Sequence, residues 1–435
     1  MQYHKPVTLG KCKNVIIYLS ARVIVQKKKE NKEKTMKNKK IIASVLVLAI
    51  SLTACVSCAK KEDTEETFVT KATEETTTAT TEATTTTEAP VIDLLYDPNN
   101  PMAVNPVTGV QDMDPENEGN RSVAIVVNNC YAAMPQRGVS QADAIYEYET
   151  EGGQTRLLCL FADVNTVPEI GSLRSARVLS TDLAAGNNSI FIHYGRNARV
   201  PDHISEWDID HIDGNNCSAG SYNSQNYADG YVTLPTGLFF WRDSTWLSQR
   251  AMEHTAVSDG AHIAEAIEYF GIDLQGEAPR LFNFVPDNSV DIANGQDCQQ
   301  INVYFSATND DALFTYDATT GLYTKEQYGQ PHIDQTTGEQ IAVTNIIVCY
   351  ADIELWGGDN YTVDAELEDG GEGWYVSGGK VVPITWDKDS PNDLIVLYNE
   401  DGQEVEVNRG TSYICIVDDD YQDMTTITAT LDAQG

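Results

Sequence analysis

Ser122-Val123-Ala124-Ile125-Val126-Val127-Asn128 is a continuous apolar run, rich in β-branched residues and closed by Asn128-Asn129. It reads as a buried strand. Downstream, Ala144 to Tyr148 and Arg156 to Phe161 read as two more strands, with Gly152-Gly153 between them as a hairpin turn. Ile190 to Tyr194 is strand-like. Two helices accompany these strands. Ser175 to Ala185 places Leu179 and Leu183 on one face and stops at Gly186, and Gly260 to Phe270 aligns Ile263, Ile267 and Phe270 before Gly271. This alternation predicts an α/β domain with a mixed sheet over residues 95–285. Beyond Pro286 the texture changes to short alternating runs. Turns punctuate them at Asp317-Ala318-Thr319-Thr320-Gly321, Asp334-Gln335-Thr336-Thr337-Gly338 and Asn399-Glu400-Asp401-Gly402. Residues 286–425 are therefore expected to be β-rich, and the whole chain α+β, with the boundary between Gly276 and Asp297.

Upstream of the folded part, Lys37, Lys39 and Lys40 precede an apolar run from Ile41 to Leu52 that closes on Leu52-Thr53-Ala54-Cys55. Basic residues, a short apolar segment and small residues before a cysteine mark a lipoprotein signal peptide over residues 36–54. Cys55 is the expected lipidation site, and residues 1–35 are read as an over-extended start. Residues 55–94 are expected to be a disordered tether, because Lys60 to Pro90 is nearly all Thr, Glu and Ala and offers too little apolar surface to offset chain entropy. The implied location is the extracytoplasmic face of the plasma membrane, held there by a lipid anchor.

The formal charge is −36, and residues 1–54 hold 12 Lys/Arg against 2 Asp/Glu, so the remainder carries about −46. A field of that sign opposes nucleic acid as a partner. Against it, residues 121–250 contain nine arginines and no lysine. Guanidinium tolerates partial burial and pairs bidentately with carboxylate or phosphate, so some of these arginines are expected to hold an anion. The rest would pair internally with Asp143, Glu147, Glu149, Glu151 and Asp182.

Arg174-Ser175-Ala176-Arg177 is the leading site, read as two arginines on one face of an opening helix turn beside free N–H groups. Arg156 is expected to join them. Cys159, Cys349 and Cys415 lie in apolar runs and read as buried thiols, whereas Cys130, Cys217 and Cys298 sit near turns and are open to pairing. Asp208-Ile209-Asp210-His211-Ile212-Asp213-Gly214 misses calcium-loop spacing by one residue and reads as a polar surface loop. No catalytic motif is present, and no cofactor or metal can be named from these residues.

Ordered blocks across residues 95–420 resemble the YerB-type lipoproteins, a two-part family of unassigned biochemical function. They include Val123 to Asn129, Pro135 to Glu147, Glu151 to Arg156, Gly171 to Arg177 and His193-Tyr194-Gly195, then Thr344 to Val348 and Arg409 to Ile414. The chain departs from that pattern at Arg250 to Thr255 and at Tyr194-Gly195-Arg196. His193, within a matching block, joins Arg156, Arg174, Arg177 and Asp143 as a candidate ligand residue.

The resulting expectation is an envelope component for binding or assembly, recognising an anionic cell-wall or lipid-linked ligand or an envelope protein partner. Two alternatives stand beside it. One is a phosphoryl or glycosyl-phosphate transfer enzyme of cell-wall polymer assembly, whose layout the strand, arginine loop and helix resemble, with Asp143 helping to hold a cation. The other is a protein–protein adaptor anchored by Trp356, Trp374 or Tyr361.

Overall fold

The computed structural model describes residues 95–215, 237–276, 278–286, 289–308, 311–356 and 361–431. The signal segment, Cys55, the tether and Cys217 lie outside them. In the first part of the chain the strands are β1 (Val123–Asn128), β2 (Ala144–Glu149), β3 (Thr155–Phe161), β4 (Ile190–His193) and β5 (His211–Asp213). The second part supplies β6 (Gln300–Val303), β7 (Ala312–Asp317), β8 (Leu322–Gln327), β9 (Asn345–Leu355), β10 (Gly371–Ser377), β11 (Lys380–Asp387), β12 (Ser412–Asp418) and β13 (Thr426–Thr428).

Both parts of the chain contribute to one mixed sheet, in the order β11-β10-β9-β12-β2-β3-β1-β4-β5 with short edge strands added. The seam is β12 against β2, a parallel pair that sets Tyr146 opposite Ile414. A boundary near residue 286 therefore separates two stretches of sequence whose strands hydrogen-bond to each other. A smaller sheet, ordered β8-β7-β6-β13, packs on one face of the large one.

β1 is apolar on every residue up to Asn128 because both of its faces are covered. Val123, Ile125 and Val127 point into a core shared with Ile263 and Ile267 of one helix and with Ile301, Val303 and Phe314 of the small sheet. Ala124 and Val126 point the other way, toward Leu179 and Leu183 of a second helix and toward Ile347 and Ile414. Each such fully buried Val or Ile contributes roughly 1.5–3 kcal/mol.

Helix α1 spans Val178–Gly186, α2 Val200–Glu206 and α3 Gly260–Phe270. The expected bounds of α3 are met, with Asp259 accepting from the His262 amide at its start and Gly271 at φ +66° at its end. The expected start of α1 at Ser175 is corrected to Val178. The Gly152-Gly153 turn is present with both glycines at positive φ, as are the Gly321, Gly338 and Gly402 turns.

Residues 208–214 are not a surface loop. His211–Asp213 is a buried edge strand parallel to β4; its acid, Asp213, is occupied by Arg196, and Asp210 just before it by Arg121. Cys159, Cys349 and Cys415 are fully buried thiols, as expected, and burial pushes all three up. Cys130 and Cys298 are free rather than paired. No described helix is long and apolar enough to cross a membrane.

Candidate functional site

At their carboxyl ends the parallel strands β1 and β4 are split by an extended strap, residues 172–176. On one side the Asn128 amide donates to the Ser172 carbonyl and the Arg174 amide to Val126; on the other, Tyr194 donates to Arg174 and Ala176 to Gly195. The strap displaces β4 from β1 beyond Ile125, the last residue of β1 that β4 pairs. Crevices outside the carboxyl ends of such strands are where open α/β sheets bind ligands.

The strap's conformation corrects the expected helical face. Residue 176 forms a parallel bridge with Arg196, and Arg177 is extended (φ −129°, ψ 160°) as the cap of α1. Arg174 and Arg177 come together here through an extended segment crossing the sheet end, not through one helical turn.

Arg177 pairs bidentately with Glu151, Nε to Oε1 at 2.5 Å and Nη2 to Oε2 at 2.6 Å. Arg156, on β3 opposite Asn128, is 7% exposed; it bonds the Ser175 carbonyl and reaches the same Glu151 at 4.0 Å. Burial, with Arg177 and Arg174 nearby, lowers its pKa to about 9. Arg174 is half-buried and donates to the Glu253 carbonyl at 3.3 Å. Burial lowers it too, and the Arg177 and Arg242 charges add to that effect. Arg242 bonds the Met252 carbonyl and lies 4.5 Å over the Tyr194 ring. Among the described residues Arg174 and Arg242 form no ion pair; Glu151 holds Arg156 and Arg177, and the exposed Glu253 acts on Arg174 and Arg242 only from a distance.

Two predicted members lie elsewhere. Asp143 sits at the opposite end of the strands, just before β2, where its carboxylate accepts from Asn105 Nδ2 (2.9 Å) and the Ala162 amide (2.7 Å). Burial raises its pKa to about 6. Its role there is to close the start of β2. His193 ends β4 beside the strap, but its ring is fully buried, with Nδ1 donating to the Gly195 carbonyl at 2.8 Å and Nε2 bonded to His211 Nδ1 at 3.0 Å. It braces the turn and does not face a ligand. Burial lowers the pKa of both imidazoles.

Arg242 is the member that sequence reading missed. Nothing in the spacing between positions 174 and 242 signals that Ala256–Ser258, pairing with Trp241–Arg242 on one side and with Ile170–Gly171 before the strap on the other, brings them together. No group of three or more metal-ligating side chains occurs among the described residues. A cavity of about 760 Å³ lined by Tyr96, Met102, Met113, Pro115 and Arg280 lies at the amino-terminal side of β1, away from the arginines. Trp356 and Tyr361 are exposed, as the adaptor reading expects, whereas Trp374 packs partly against the core.

Residues 107–273 match the family model described as the N-terminal domain of a protein of unknown function (DUF3048), and residues 301–414 match its C-terminal domain. The chain is 29% identical over 318 residues to "Putative lipoprotein YerB" of Bacillus subtilis, covering 72% of this chain and 86% of that one. The crystal structure of the YerB protein from Bacillus subtilis superposes with a TM-score of 0.60 at 27% identity, covering 74% of this chain and 98% of that one. With both domain models matched in order and the fold shared, this chain belongs to the YerB-like family.

Proposed function

We propose that this protein is a lipid-anchored component of the cell envelope that binds an anionic ligand at the β1/β4 crevice. Arg174 and Arg242 contact the ligand, with Arg156 and Arg177 behind them. The anchor is supported by the Leu52-Thr53-Ala54-Cys55 segment and by the lipoprotein name of the Bacillus relative. The observation that carries the anion site is the approach of four guanidiniums, Arg156 and Arg177 sharing Glu151 while Arg174 and Arg242 have only the exposed Glu253 within electrostatic reach, in a chain of formal charge −36. Placing like charges together in a half-buried crevice is unfavourable unless an anion offsets them. A cell-wall or lipid-linked fragment bearing phosphate or carboxylate fits that chemistry, since guanidinium forks match both groups.

The transfer-enzyme alternative assigns Asp143 to a cation beside the arginines, and its position at the other end of the strands speaks against that role. Calorimetric titration with inorganic pyrophosphate tests the binding reading. Arg174→Gln and Arg242→Gln are each expected to weaken binding about tenfold or more, the usual cost of losing a hydrogen bond to a charged group. Unaltered binding by both variants would remove the crevice from the function.

A further inference from the structure

The two places where this chain departs from the family pattern, Tyr194-Gly195-Arg196 and Arg250 to Thr255, meet at the crevice. The Tyr194 ring lies under the Arg242 guanidinium at 4.5 Å. Met252 and Glu253 are consecutive residues of a short 3-10 turn, and their carbonyls accept from Arg242 and Arg174 respectively. The two outer guanidiniums therefore lie side by side along this turn. The strands and strap that build the crevice fall in blocks that follow the family pattern, whereas the residues touching its outer arginines do not. What the crevice selects is thus set where the chain departs from that pattern.

Glu253 brings the opposite charge to the same spot. Its side chain is 51% exposed, and among the described residues no lysine or arginine forms an ion pair with it. The nearest basic group is His254 Nε2 at 4.0 Å, and that ring is a poor cation. The Cys130 amide donates to Asn128 Oδ1, which turns Asn128 Nδ2 to donate to His254 Nδ1 at 2.9 Å, and burial beside Arg174 lowers the imidazole's pKa. Glu253 itself stays ionised, its own backbone N–H, His254, Arg174 and Arg242 holding it below the ordinary carboxylate value. Because Arg174 is bonded to the Glu253 carbonyl, the carboxylate stands within one glutamate side chain's length of that guanidinium. A purely anionic ligand is repelled by Glu253 as it approaches the arginines. One that carries an ammonium beside its acid group finds a partner for both ends.

We propose that the crevice ligand is zwitterionic, a phosphate or carboxylate joined by a short carbon linker to an ammonium, and that Glu253 is the residue that selects it. Arg174 and Arg242 hold the acid group, and the Glu253 carboxylate holds the ammonium. This rests on the anion-binding reading of the crevice and adds the requirement for a positive charge on the ligand.

Calorimetric titration of the full chain at neutral pH with matched pairs of small ligands tests this. O-phosphoethanolamine is compared with ethyl phosphate, which lacks its ammonium, and β-alanine with propionate, which does the same for a carboxylate. In at least one pair the ammonium-bearing member is expected to bind about fivefold or more tightly than its counterpart, although it carries less net negative charge. The pair that shows the preference identifies the acid group. Glu253→Gln should cancel the preference and tighten binding of the ammonium-free member by removing a like charge, and since the Glu253 side chain is exposed the substitution leaves the fold in place. Arg174→Gln should weaken both members. Equal binding within both pairs, or a preference that survives Glu253→Gln, overturns the zwitterionic ligand and leaves the anion site standing. Binding of none of the four overturns both.

Discussion

The arginines of the crevice differ in what holds them, and substitution should separate them. Arg177 forms a bidentate pair with a Glu151 whose side chain is only 5% exposed. Arg177→Gln leaves that carboxylate buried with only the weak 4.0 Å contact to Arg156, so a loss of about 3 kcal/mol is expected in urea unfolding. Arg174 has no carboxylate to abandon, so Arg174→Gln should change stability by less than about 1 kcal/mol while weakening anion binding. An equal loss in both variants would mean that Arg174 is as structural as Arg177. The sequence places both in one short block and gives no sign of this division, because Glu151 reaches Arg177 only through the turn between β2 and β3.

At the scale of elements, strands and the Gly-terminated helix α3 were legible because their apolar spacing is local. The start of α1 was not. Residues 172–176 have partners on β1 and beyond β4 that lie tens of residues away, and those hydrogen bonds hold the segment extended until Arg177. The strand His211–Asp213 escaped for a similar reason, Asp213 and the preceding Asp210 being matched by Arg196 and Arg121 from outside the segment.

The carboxyl ends of β2 and β12 carry a titration signature of their own. Burial, with Asp418 nearby, raises Glu149 to about 7, and burial with neighbouring acids raises Asp418 to about 6. Both folded values exceed the ordinary carboxylate values expected in the unfolded chain. The folded state therefore binds more protons in this window, and these groups destabilise it progressively as pH rises from about 4.5 through about 7. Buried His193, His211 and His332, whose pKa burial lowers, act in the opposite sense, so the test is a difference between variants: the Tm of Glu149→Gln relative to the unaltered protein is expected to be higher at pH 8 than at pH 5.5 by calorimetry. A relative Tm that falls between pH 5.5 and pH 8 would contradict the sign.

Across the whole molecule, the two parts of the sequence are fastened by a polar network at the β2/β12 seam. Glu147 is fully buried and accepts from Asn129 (2.8 Å), Thr155 (2.6 Å) and the Tyr413 hydroxyl (2.6 Å). Lys325, on β8 of the small sheet and equally buried, lies 3.5 Å from it and contacts His332, which in turn bonds Gln136. Burial lowers the lysine's pKa, opposed by Glu147.

Lys325→Met should cost about 3–5 kcal/mol by leaving Glu147 buried without its cation, and Lys325→Met with Glu147→Gln should recover part of that loss. Additive losses in the double-mutant cycle would show that the two charges do not act as a pair. No sequence pattern foretold this seam, since a parallel pairing of residue 144 with residue 412 leaves no local trace, and the boundary near residue 286 could be placed only where texture changed.

The central claim is that the guanidiniums at the β1/β4 crevice hold an anion, and crystals soaked in tungstate locate that anion directly by anomalous scattering. The strongest peak is expected between Arg174 and Arg242, and it should vanish in Arg174→Gln. A crevice without a peak while tungstate occupies surface lysines such as Lys380 would contradict it.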